Sequence, residues 1–303
     1  MLSTQGFARA ANFLHRARPL EKSLFAFHFE KGPAAAALKE LQAFQNADGG
    51  FQGLEPDIGF SLSSTVATCS ALHILHELET PTEHPVAQRA LDFLIGTYDP
   101  KLEGWPIIPP HDNTQPHAPW WRHAENPTAK PDRFHDNPRP DVLAGLYFFA
   151  CAKTDNLRDV VSRATIAQLN SAQAVEMHGL VCYTRLNLAP GLPADLKQAL
   201  DRRLPAWIDQ GVERDSAKWG GYELRPLDIA PRDDSPWRAQ LGTSVDDNLD
   251  YLITRQADDG SWLPYWSWGN SFPEAWPAAK LKWQAFLTLR ELRSLRSYRR
   301  LSP

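Results

Sequence analysis

Apolar residues recur along this chain at three- and four-residue spacing, a rhythm that predicts helices over most of its length. Ala35, Leu38 and Leu41 or Gln42 form one face of an early helix. Ser64 to Leu78 carries Val66, Cys69, Ala71, Leu72, Leu75 and Leu78 as a wide stripe. Val86, Ala90, Phe93 and Leu94 form another, started by Glu83-His84-Pro85. Further helices are expected over 141–152, 157–173, 193–210, 245–255 and 277–296. Strand-like alternation is scarce, with Leu180-Val181-Cys182-Tyr183 as a short exception. The stripes read as core-packing faces.

Two of these helices end on matching runs. Gln45-Asn46-Ala47-Asp48-Gly49-Gly50-Phe51 returns as Gln256-Ala257-Asp258-Asp259-Gly260-Ser261-Trp262, each copy between two helical stretches. Glycine permits the positive φ that stops a helix, aspartate favours the turn, and the aromatic ring can staple one helical hairpin to the next. Looser versions occur at Leu102-Glu103-Gly104-Trp105 and Trp219-Gly220-Gly221-Tyr222. Hairpins repeating at this spacing cannot bury their faces alone and must stack. The chain is expected to be all-α, a single domain over 1–303, with five or six hairpins closed into an α/α-toroid.

One stretch breaks the rhythm. Between Trp105 and Pro140 lie nine prolines, four histidines (His111, His117, His123, His135) and three tryptophans. That proline density excludes a helix, and the aromatic content is too high for a disordered linker. A long ordered loop of this kind is usually a lid or cavity wall. It is placed over one mouth of the ring.

Composition narrows the function classes. The chain has 303 residues, 43% hydrophobic and 22% charged, with a net charge of −4. That balance suits a soluble protein with a full core and gives no sign of nucleic-acid binding. The basic cluster Arg290, Arg293, Arg296, Arg299 and Arg300 reads as a solvated helix end. Cys69, Cys151 and Cys182 form neither a disulfide ladder nor a paired zinc signature. No signal peptide and no bilayer-spanning segment is read, so a cytoplasmic location is expected.

The repeated turns resemble the "QW" turns of the terpenoid cyclase and protein prenyltransferase superfamily. The first and last copies match closely, and those at Trp105 and Tyr222 loosely. The chain is also similar to a set of bacterial single-toroid proteins of uncharacterised activity. That likeness rests on Ala17-Arg18-Pro19-Leu20, Leu54-Glu55-Pro56-Asp57, Pro116-His117-Ala118-Pro119-Trp120-Trp121 and Phe272-Pro273-Glu274-Ala275-Trp276-Pro277. Both resemblances imply the toroid, and the fold by itself carries no chemistry.

The superfamily's chemistry does not carry over intact. Where its class II cyclases place an Asp-x-Asp-Asp-Thr-Ala proton donor, this chain has Ser61-Leu62-Ser63-Ser64-Thr65-Val66. The threonine stays, but all three acids are serines, whose hydroxyls cannot protonate an alkene. Ser244-Val245-Asp246-Asp247-Asn248-Leu249-Asp250 resembles the magnesium-binding run of class I terpene synthases, with Asp246 and Asp250 one helical turn apart. Its position before a turn is wrong for that role. Acids in the first turn of a helix capped by Thr243 or Ser244 are the plainer reading, so no cofactor is expected. The zinc ligands of the prenyltransferases have no counterpart. His111, Asp112, His117 and His123 form a further weak metal candidate.

Three functional readings follow. The leading one is an isoprenoid cyclase in which Glu55, Asp57, Asp112 or Glu274 supplies a proton, the ligand being small and hydrophobic. His117, Trp120, Trp121, Trp266, Trp268 and Trp276 would line its cavity and steady a carbocation. Asp136 and Asp141 are further acids of the same regions. A carbohydrate-active lyase, hydrolase or epimerase is the second reading, and a non-catalytic binding or scaffold toroid the third. Peripheral membrane contact and oligomeric state stay open.

Overall fold

A computed structural model describes residues 1–122 and 133–302, with the side chains of Arg133 and Phe134 left aside. His123 lies outside the described residues. The regular elements are helical: α1 (Thr4–Leu14), α2 (Pro19–Phe29), α3 (Ala34–Gln42), α4 (Thr65–Glu77), α5 (Pro85–Gly96), α6 (Arg133–Asp136) and α7 (Arg139–Phe148) come first. They are followed by α8 (Asp155–Ser171), α9 (Met177–Asn187), α10 (Ala194–Gly211), α11 (Pro226–Ile229), α12 (Arg238–Leu241), α13 (Ser244–Thr254) and α14 (Trp276–Ser297). Among the described residues extended pairing is limited to isolated bridges, and no helix is long and apolar enough to cross a membrane.

The chain divides into two compact units, one of residues 41–211 and one of 1–40 with 212–303. In the first, α7 is the centre: every residue from Arg139 to Tyr147 is buried, against α4, α8 and α9, and α10 packs on α8 and α9. Gly145 allows this closeness, because a Cβ there would come within 2.7 Å of Leu72 on α4. In the second unit α14 packs on α1 and α2, and Leu2 pairs with Leu301.

Each unit contains one copy of the repeated turn, built alike. Gln45 Nε2 donates to Gly49 O and to Val86 O at the start of α5; Gln256 Nε2 donates to Gly260 O and to Gly6 O at the start of α1. Phe51 N donates to Thr68 Oγ1 at 3.0 Å, and Trp262 N to Thr288 Oγ1 at 3.1 Å. Gly49 has φ +91° and Gly260 +90°, and a Cβ at either would strike backbone of Arg89 or Arg9. The aromatic rings bond the segment just before them rather than the next hairpin. The buried indoles of Trp105 and Trp262 donate to Leu94 O and Leu252 O, closing the last turns of α5 and α13, and Trp219 donates to Glu213 O.

Several expectations are corrected. Leu180–Tyr183 is not a strand but part of α9, whose exposed His178 and Arg185 lie two turns apart and leave only a narrow polar face. Neither Thr243 nor Ser244 caps α13 with its side chain; Ser244 Oγ donates back to Leu241 O instead. The Pro-rich stretch includes a short 3₁₀ turn at Pro119–Trp121, and α7 starts inside it at Arg139, where Pro140 is tolerated in the first turn. The C-terminal arginines are not merely solvated. Arg290 pairs with Asp228 and Glu291, Arg300 with Asp250, and Arg296 bonds His28 O and lies over Phe29.

Candidate functional site

Helices α4, α7 and α9 bring a set of ionisable side chains together in the 41–211 unit. Ser64 Oγ accepts from Ala67 N and starts α4, whose buried face runs through Thr68, Cys69, Leu72 and Leu75. His73 lies beside that face, on the side of α7. Asp141 stands in the first turn of α7, where the partial positive charge of the helix start favours a carboxylate. Arg185 is in the last turn of α9, three residues after the buried Cys182 and two after the buried Tyr183.

His73 Nε2 lies 2.8 Å from Asp141 Oδ1, and Arg185 Nη1 is 3.4 Å from both carboxylate oxygens. Burial alone would raise the Asp141 pKa, but His73 and Arg185 outweigh it and hold the carboxyl well below its usual range. The ionised carboxylate can only accept, so His73 must present a proton on Nε2. In the neutral imidazole Nδ1 then carries the basic lone pair. Nδ1 has no hydrogen-bond partner among the described residues, and the His73 side chain keeps 27% of its surface exposed.

The surroundings favour this charge state. Burial, and next the charge of Asp141, push the thiols of Cys69 and Cys182 well above their ordinary values, so both stay protonated and unreactive. Burial and the neighbouring His73 lower His76, whose ring lies 4.0 Å from that of Phe148. One turn before α7, Asp136 accepts from Tyr183 OH at 2.8 Å and from Gln168 Nε2 at 3.2 Å, tying α6 to α8 and α9. A buried carboxylate holding a part-exposed imidazole by one nitrogen is an arrangement that takes and returns protons.

The residues expected from sequence are distributed differently. Backbone 57–59 runs antiparallel to 116–118, with Gly59 N donating to Pro116 O and Ala118 N to Asp57 O, so Asp57 and His117 are neighbours in one buried seam. His117 Nδ1 is 2.6 Å from Gln115 O; its ring meets His111 edge-on at 5.0 Å, and His111 stacks on Phe60. Glu55 is half-buried, Trp121 half-buried and Trp120 exposed. Asp112 is exposed, and its hydrogen bond from Thr114 N lowers its pKa, the wrong direction for a proton donor at neutrality.

The remaining expected residues belong to the other unit. Glu274 is exposed there, and Trp268 packs 5.6 Å from Trp276. Trp266 sits in a run of edge-on contacts from Tyr222 through Trp283 to Phe286. Asp246 is bound by Arg238 at 2.8 Å and Asp250 by Arg300, so each carboxylate already has a cation. Among the described residues no group of three or more His, Cys, Asp or Glu side chains is placed to hold a metal.

The same unit holds a second ionic cluster. Arg225 stacks 3.5 Å over Tyr265 and donates to Trp219 O and Gly221 O. Burial pushes the Tyr265 hydroxyl up to about 12 and raises Glu291 above the ordinary carboxylate range. The two clefts beside these groups have room for about one water each, too little for a substrate. No family model matches the chain, and no curated protein matches it.

Only Asp141 of the central trio was visible as a candidate acid. His73 and Arg185 stand 68 and 44 positions from it, and no local motif links them. Neither helix singles its residue out, since α4 also carries His76 and Glu77 and α9 also carries His178.

Proposed function

We propose that the protein is an α/α-toroid enzyme that transfers protons with His73, oriented and charge-balanced by Asp141. The observation carrying this reading is the 2.8 Å contact between His73 Nε2 and a buried, ionised Asp141, with Nδ1 unpartnered on a part-exposed ring. A neutral imidazole oriented in this way is a general base, and its protonated form a general acid; such positioned groups contribute roughly 10²–10⁴ in rate. The toroid rests on the two like turns and on the reach of Gln256 to the start of α1.

The test is metabolite profiling in D₂O. Wild-type protein and H73Q are each incubated with a small-molecule extract, which is then followed by mass spectrometry. Wild type is expected to consume or deuterate at least one metabolite that H73Q leaves unchanged. Identical profiles would overturn the reading.

An isoprenoid cyclase is the second reading. It is favoured by the two turns and by the aromatic run Tyr222, Trp266, Trp283 and Phe286, whose ring faces suit a carbocation. Formation of a cyclised hydrocarbon or alcohol from a polyprenyl substrate would select this reading over other proton transfers.

A further inference from the structure

We infer that Arg185 is the anchor for an anionic group, a carboxylate or a phosphoryl group, on the molecule handled at His73; this rests on the acid–base role proposed above. A guanidinium kept only to neutralise a buried carboxylate closes on it with short, parallel bonds of about 2.7–2.9 Å. Arg185 does not. It offers Asp141 a single nitrogen, Nη1, at 3.4 Å from both oxygens. Its Nε and Nη2 have no partner among the described residues.

The side chain is also in the wrong environment for a purely structural ion. It is 49% exposed, whereas Asp141 is 10% exposed and Cys182, Tyr183, Thr184 and Leu186 on the same helix are buried. Arg139 in the same unit shows the structural alternative: it is 1% exposed and donates to the carbonyls of Glu103 and Ala164. Arg185 instead stays accessible at the edge of a dyad whose imidazole is itself part-exposed.

Charge points the same way. Asp141 and Arg185 cancel, so protonation of His73 leaves the trio with one net positive charge. A planar fork with two open donors fits a carboxylate or phosphate, and binding there would set the reacting part of the molecule against the imidazole.

The test is titration calorimetry on the full chain with sodium pyrophosphate and, separately, sodium succinate. Wild type is expected to bind at least one. R185Q should weaken that binding by about tenfold or more, and R185K, which keeps the charge but loses the fork, by a few-fold. Binding of pyrophosphate alone assigns a phosphoryl group, and binding of succinate alone a carboxylate.

Wild type that binds neither probe, or R185Q that binds as wild type does, overturns the inference. Circular dichroism checks each variant's fold, and R185K keeps the test readable if R185Q does not fold. Because binding is read without turnover, failure of the acid–base role would show in the H73Q metabolite profile and leave this result standing on its own.

Discussion

His73 Nε2 meets Asp141 Oδ1 at 2.8 Å, joining α4 to α7 beneath the half-exposed guanidinium of Arg185. The contact fixes the tautomer of the histidine and the charge of the carboxyl together. It also makes the pair a source of pH-dependent stability.

Asp141 is held well below the ordinary carboxylate range in the fold, and near 3.9 when unfolded. The unfolded state therefore takes up the proton first as pH falls. Stability from this group is fully present above about pH 4 and is lost as pH drops toward the folded value. D141N removes that dependence. Urea midpoints from pH 7 to pH 2.5 are expected to fall less steeply for D141N than for wild type, with a cost of about 1–3 kcal/mol at pH 7.

The repeated turns should fail alike. Gly49→Ala and Gly260→Ala each place a Cβ on a positive φ and against neighbouring backbone. Each is expected to cost about 2–3 kcal/mol. Gly191→Ala has a similar φ of +67° but open space around it, and should cost about 1 kcal/mol. Chemical denaturation of the three variants separates steric conflict from backbone preference alone.

Thr68 and Thr288 accept the aromatic residue's amide in their respective turns. Thr68→Val and Thr288→Val leave the buried amides of Phe51 and Trp262 without an acceptor. Both are expected to lose about 1–3 kcal/mol, by thermal or urea unfolding. A large loss at one and none at the other would break the equivalence of the two turns.

Magnesium offers a direct check on the class I-like run. Asp246 and Asp250 already hold Arg238 and Arg300, and a divalent ion would have to displace both arginines. Millimolar MgCl₂ is expected to leave Tm unchanged in wild type. A rise in Tm that disappears in D246N/D250N would show that the ion wins.

The helices were legible because most bury a single face. Ser64–Leu78 and 277–296 were read to within a few residues, since their apolar positions keep the helical period. Leu180–Tyr183 misled for a different reason: four residues of α9 taken alone are too short to separate a strand from a helix. The turns were legible down to the glycine φ, because the required chemistry is local.

The candidate site proposed here was not legible. The sequence drew attention to Asp57, His117 and the tryptophans, which are distinctive as residue types. Asp141 was seen only as one acid among several. What singles it out is contact with a histidine and an arginine from two other helices, which chain order does not display.

The orientation of His73 is the most direct test of the whole account. Long-range ¹H–¹⁵N correlation on selectively labelled protein reads which ring nitrogen carries the proton in the neutral form. A protonated Nε2 and a bare Nδ1 are predicted, with the Nε2–H signal altered in D141N. A neutral ring protonated on Nδ1 would leave nothing to donate to Asp141, and the dyad, with the proton-transfer role built on it, would be wrong.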